Sequence, residues 1–347
     1  MKLLRNVMLL VSIAVLVLYV FFAEGYDNVA KAFGMLRFEY VGAALFVCVA
    51  SFSIDALIMH ILRRKYQKVG YLKSLYNVFF VFASNNLIPP ALQVGLAVET
   101  SMLSDQGMKV SDAGSLILYR QAICFLAVAA FPLSFMLITW GYFSVHASSL
   151  LLVLFAVGLV INILTSAFYA FVGTWSGFLK AVVRFLVKAG NALRVVRNPE
   201  RVLESADSSI MSLKDNMRNL PFHLADGMVS FILGFVRMFA LYMSSYFIAK
   251  SLGIPIRSDF AVLIAACSFV YVVQSVLPVP GGLGIADYAY VRILSDLVGD
   301  KINIMMLLWR IITFYFPAIV SIILMSVPYR NRKPNVGSDG CSNLPLE

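Results

Sequence analysis

Six apolar runs, at residues 7–22, 40–62, 113–138, 149–172, 222–249 and 302–327, approach or exceed the roughly 20 residues an α-helix needs to cross a hydrocarbon core of about 30 Å. Lipid offers no partner to a bare N–H or C=O, so a segment of that length at that depth must bond within itself as a helix. Composition agrees: 61% of the 347 residues are hydrophobic and 13% charged, and the mean hydropathy is +0.85, which excludes an ordinary soluble domain. The chain is therefore expected to be an all-α integral, multi-pass membrane protein. Its start, Lys2 and Arg5 ahead of the first run, has the outline of a signal peptide. It has no A-x-A cleavage pattern and further spans follow, so the run is expected to stay as the first helix.

Two more apolar regions are interrupted. Residues 72–103 contain Pro89-Pro90, and residues 260–297 contain Pro278-Val-Pro280-Gly281-Gly282-Leu-Gly284. Proline removes a donor and clashes with the preceding turn, so each break frees carbonyls that hydrocarbon cannot satisfy. Taken alone, such a stretch fits either a loop outside the membrane between two spans or a re-entrant hairpin packed inside protein.

Charge decides between them. Arg63, Arg64, Lys65, Lys68 and Lys73 form one basic cluster, and Lys180, Arg184, Lys188, Arg194 and Arg197 a second. Both should be cytoplasmic. Three apolar regions separate them, and only if residues 72–103 enter and leave on one side do both clusters face the cytoplasm. The same parity applies to residues 260–297, given Arg330, Arg332 and Lys333 beyond the last run. The expected fold is about six full spans plus two re-entrant helical hairpins in the cell membrane, with both termini cytoplasmic.

That threading repeats. Residues 1–147 read as a first membrane repeat with its hairpin at about 72–103, and residues 148–328 as a second, inverted one with its hairpin at about 260–297. The second also holds a basic cytoplasmic segment at about 176–218. Arg120 follows Pro90 by 30 positions and Arg310 follows Pro280 by 30. Inverted-topology repeats are a common plan of secondary transporters. Within the basic segment, residues 178–203 read as an amphipathic helix on the anionic leaflet or as a plain orientation loop. Residues 329–347 read as a disordered polar tail.

The net charge of +10 would suit nucleic acid, but the basic residues lie in short segments between apolar runs and no nucleic-acid motif accompanies them. Cys48, Cys124 and Cys267 sit in apolar runs and Cys341 in the tail, without C-x-x-C spacing. No disulfide framework, metal site or cofactor is expected. His60, His146 and His223 fall near span ends and read as interfacial residues.

Ionisable residues at membrane depth are costly, about 2.5 to 3.5 kcal/mol each at the bilayer centre. Here they are Asp55, Arg120, Asp226, Arg237, Asp287 and Arg310, with Glu99 in the first hairpin. Arginine suits bidentate contact with phosphate, and the N–H groups of Gly281, Gly282 and Gly284 would face an anion at the start of the second half-helix. Arg310, these glycines and Arg120 are the candidate binding groups, with Asp287 holding Arg310 or carrying a coupling proton. The alternative for Arg310 and Asp287 is a structural pair that binds nothing. Asp55, Asp226 and Arg237 are read as structural.

The run Leu277 to Asp287, followed by Leu308-Trp-Arg310-Ile-Ile-Thr-Phe-Tyr315-Phe-Pro317, resembles the flippase-like family that includes the membrane half of lysylphosphatidylglycerol synthases. Asn85-Asn86-Leu-Ile-Pro89 and Tyr119-Arg120 are similar to that family's first-half motifs. Two departures stand out. Asp287 replaces the usual glutamate, and Gly95-Leu-Ala-Val-Glu99 replaces a Gly-Gly-Glu-Pro-like run. The resemblance adds Asn85, Asn86 and Glu99 to the candidate binding residues and implies handling of a lipid with a polar anionic head, such as a phospholipid or a polyprenyl-phosphate carrier. No soluble synthase domain accompanies it, so aminoacyl transfer is not implied. The expected function is a non-enzymatic flippase. The alternatives are an intramembrane enzyme using Asp287 or Glu99 as acid or base, and a non-catalytic partner of a glycosyltransferase or lipid synthase.

Overall fold

The computed structural model describes residue 34 and residues 36–326, apart from 88–93, 173–174, 193–198, 220–223, 257–258 and 277–283. Among the described residues every element is helical and no strand occurs. The protein is all-α. Five stretches among the described residues are long and apolar enough to cross a membrane: α1 (Phe38–Arg63), α4 (Val110–Ile138), α6 (Ser149–Val172), α9 (Leu224–Ser251), and Ile285–Ser321, which is divided among shorter helices. The first four correspond to four of the expected spans. The first expected run, 7–22, lies outside the described residues.

Shorter helices fill the intervals. They are α2 (Tyr71–Leu87), α3 (Val94–Asp105), α5 (Trp140–His146), α7 (Ser176–Ala192), α8 (Pro199–Asn219), α10 (Phe260–Gln274), α11 (Ile285–Val298), α12 (Ile302–Arg310) and α13 (Phe316–Ser326). At 1.5 Å per residue α2 is about 26 Å long and α3, α10 and α11 about 18–23 Å, all short of a 30 Å core. Pro89-Pro90 and residues 278–283 lie outside the described residues, in the gaps between α2 and α3 and between α10 and α11.

The ends of these short pairs are fixed by specific contacts. The Gln67 side-chain amide, just after α1, donates to the Gln106 carbonyl at 2.5 Å, and Gln106 Nε2 donates to Asn77 Oδ1 at 2.8 Å. The chain thus enters α2 beside the place where it leaves α3. At the other end of the bundle, Lys301 Nζ donates to Leu252 O at 2.8 Å and Arg37 N to Ser251 O at 3.1 Å. This brings the end of α11 beside the end of α9 and the start of α1. A straight helix would hold Asp287 and Arg310, 23 residues apart, about 35 Å from each other. Their 2.5 Å contact requires the reversal at Gly299, whose φ of +70° lies in the left-handed region that glycine alone enters cheaply.

Helices α1 and α9 pack along one another at the centre, with α4 against α6, α9 and α10. Ten of the fifteen residues of α10 are buried, the pattern of a helix enclosed on all sides by protein. Phe269 on α10 stacks on Phe155 of α6 at 4.6 Å. Gly158 lets these helices touch, since a Cβ there would lie 2.5 Å from the Val272 carbonyl oxygen. Large apolar side chains such as Phe38, Leu137, Leu164 and Met228 point outward and are largely exposed, the surface a lipid phase covers.

Two features had no counterpart in the sequence reading. Helix α5 is an extra short helix between two spans. The expected span at 302–327 is broken by one wide turn of π type at Ile311–Tyr315, just before Pro317, which has no N–H to offer the preceding turn. Cys48 Sγ of α1 donates to the Ile312 carbonyl there at 3.3 Å. The basic segment forms two helices, α7 and α8. Asn216 of α8 donates to Asp112 of α4 at 2.7 Å, and Lys180 of α7 pairs with Asp207 of α8 at 3.3 Å.

Candidate functional site

Helix α4 carries Arg120 into the protein about a third of the way along its length. The residue is 5% exposed and its guanidinium forks: Nη1 donates to Glu99 Oε1 of α3 and Nη2 to Asp55 Oδ1 of α1, both at 2.8 Å. Asp55 Oδ2 in turn accepts from Arg237 Nη1 of α9 at 3.2 Å. Four helices are thereby joined by an alternating chain, Glu99–Arg120–Asp55–Arg237. Each of these charges would be costly alone in a low-dielectric interior, and pairing offsets that cost.

The second half presents a parallel arrangement. Arg310, at the end of α12, gives Nε to Asp287 Oδ1 of α11 at 2.5 Å, and its guanidinium lies 4.9 Å from the Trp309 ring centroid. Trp309 stacks on Tyr290 at 4.6 Å. Asp287 Oδ2 accepts the Gly284 amide at 2.9 Å. In both halves an arginine on the helix after a short pair meets a carboxylate on the pair's second helix.

The two arrangements open on one cavity of about 410 Å³, within the roughly 300–1,000 Å³ common for ligand sites. Arg120, Arg237 and Arg310 all line it, whereas Asp55 is the one carboxylate of the network on its wall. Glu99 and Asp287 stand behind their arginines. Neutral hydrogen-bonding groups add to the polar lining, among them Gln121, Asn162, Gln274 and Ser275, with Tyr242 and Tyr271. Asn162 Nδ2 donates to Ser275 Oγ at 2.9 Å and fixes α6 to the end of α10. The Tyr242 hydroxyl, buried on this wall, has no hydrogen-bond partner among the described residues. Phe82, Phe125 and Phe314 supply an apolar side.

Of the residues expected at a site, Arg120 and Arg310 reach the cavity, Glu99 and Asp287 hold them, and the Gly284 amide is occupied by Asp287. Gly281 and Gly282 lie outside the described residues, as do the side chains of Asn85 and Asn86. Asp226, read as structural, pairs with Arg64 at 3.4 Å and with Lys65 at the bundle end. Asp55 and Arg237, also read as structural, prove to line the cavity. Their charge at membrane depth was the only available signal, and it did not tell a wall from a brace.

A helical bundle that surrounds a charged cavity and turns its apolar surface outward is a polytopic membrane protein with an internal polar site. The chain matches the lysylphosphatidylglycerol synthase TM region family over residues 9–321, and it belongs to that family. Comparison with curated proteins gave no match. Family membership ties the chain to membrane lipid metabolism or transport.

Proposed function

We propose that the protein is a flippase of the cell membrane that moves an anionic lipid, or a lipid linked to a polyprenyl phosphate, between leaflets without altering it chemically. The observation that carries this reading is the convergence of Arg120, Arg237 and Arg310 on one cavity. Three guanidiniums with fixed forks suit phosphate oxygens, and the aromatic side accommodates the start of an acyl or prenyl chain.

The short helix pairs support the transport reading. Each is too short to span, and each begins and ends beside one end of the bundle, the first beside the end of α1 and the second beside the end of α9. Read as re-entrant hairpins entering from opposite faces, they form an inverted repeat whose two arginines meet at mid-depth, as in alternating access. On this threading α7 and α8 and both termini are cytoplasmic.

Vesicles reconstituted with the full chain and a fluorescent phosphatidylglycerol test the reading. Loss of outer-leaflet asymmetry with the lipid chemically intact supports a flippase. An altered lipid indicates an intramembrane enzyme, and neither result indicates a partner for a lipid synthase or glycosyltransferase.

A further inference from the structure

Among the described residues the charges of the two networks sum to zero, since Arg120, Arg237 and Arg310 are matched by Asp55, Glu99 and Asp287. A phosphate that enters adds a negative charge where the medium screens it poorly. Taking up one proton on a carboxylate would restore the balance.

The three carboxylates are not equally suited to that proton. Asp55 gives one oxygen to Arg120 and the other to Arg237. Asp287 gives one to Arg310 and the other to the Gly284 amide. Glu99 gives Oε1 to Arg120, while Oε2 is buried with no hydrogen-bond partner among the described residues. The residue is 1% exposed. A buried carboxylate oxygen that meets no protein donor is the place where a proton removes a desolvation cost.

Neighbouring charges fit this role. Helix α3 packs against α2 and α4. From α4 comes Arg120, and beyond it stand Asp55 of α1 and the Cys124 thiol. Lys73, the one charged residue of α2, precedes the Asn77–Gln106 contact and so sits at the mouth of the pair, away from Glu99. Protonating Glu99 would leave Arg120 held by Asp55 through Nη2 and release Nη1 on a residue that lines the cavity.

We infer that Glu99 is a proton-binding site coupled to the cavity, so that an anionic head group and one proton are taken up together. The inference rests on the flippase reading for its ligand. The proton comes from solution and rests on Glu99 Oε2, and the head group takes the Nη1 of Arg120 that Glu99 gives up. No bond other than the O–H is made.

The test is to add dioleoylphosphatidylglycerol to the full chain in detergent, in weakly buffered solution with a pH indicator, while binding is followed separately. The expected result is uptake of about one proton per lipid bound, with affinity rising about tenfold at most for each unit fall in pH. Glu99→Gln should bind the lipid with pH-independent affinity and no proton uptake, and Glu99→Asp should keep some uptake. Infrared difference spectra of the unaltered protein should show a protonated carboxyl on lipid addition, which needs no variant to fold. Binding without proton uptake would overturn the coupling and leave the lipid reading intact. Failure of the lipid to bind would overturn both.

Discussion

Asp287 meets Arg310 at 2.5 Å with one carboxylate oxygen and accepts the Gly284 amide with the other at 2.9 Å. One short side chain therefore caps its own helix and holds the arginine of the next. Aspartate reaches both partners, and Gly284, at φ +85°, begins the helix in a conformation that costs other residues about 1–2 kcal/mol. Removing the carboxylate takes a close anion away from a buried cation. Asp287→Ala should lower stability in detergent by about 3 kcal/mol, the lower end for a broken buried pair, because Asp287 is partly exposed. Combining Asp287→Asn with Arg310→Gln should cost less than the two single changes together, as read from thermal melts.

Asp55 is the junction of the first network. Asp55→Ala would leave Arg120 and Arg237 each short of a partner, and the expected loss is about 3–5 kcal/mol. Arg237→Gln should be milder, since Asp55 keeps Arg120 at 2.8 Å. Chemical denaturation followed by tryptophan fluorescence measures both. Equal losses would contradict the junction.

Long helices were legible because a run of apolar residues near twenty admits no other fold in lipid. The interrupted regions were legible as breaks, because proline cannot continue the ladder, and the acid–arginine pairs as a need for pairing. Partners were not legible. Asp55 and Arg237 are 182 positions apart, and no periodicity links them. Residues 178–203, read as an amphipathic helix or as an orientation loop, fall on two helices, α7 and the start of α8, with Pro199 opening the second, where its missing N–H costs nothing. The wide turn at Ile311–Tyr315 carries a carbonyl met by Cys48 from α1, a contact across 264 positions.

Gly158 is needed for close approach, not for backbone freedom. Gly158→Ala would place a methyl 2.5 Å from the Val272 oxygen and force α6 from α10, at a cost of about 1–3 kcal/mol. Transport should fall as well, because Asn162 and Ser275 at that junction line the cavity. Gly141→Ala, with no neighbour within 4 Å, should leave melting temperature and transport unchanged.

The proposed threading places Lys65 and Lys109 on one side of the membrane and Arg37 on the other. In a background with the native cysteines replaced, Lys65→Cys and Lys109→Cys should react with an impermeant maleimide from the cytoplasmic side alone, and Arg37→Cys from the exterior. Labelling of Lys109→Cys from the exterior would mean that α2 and α3 cross the membrane between them.

The central claim is that three arginines from both halves share one lipid phosphate. The most direct measurement is a cryo-electron microscopy map of the protein reconstituted with phosphatidylglycerol. The account predicts phosphate density within hydrogen-bond distance of Arg310 and of Arg120 or Arg237, inside the cavity. Lipid density confined to the outer apolar surface, with only water between the arginines, would contradict it.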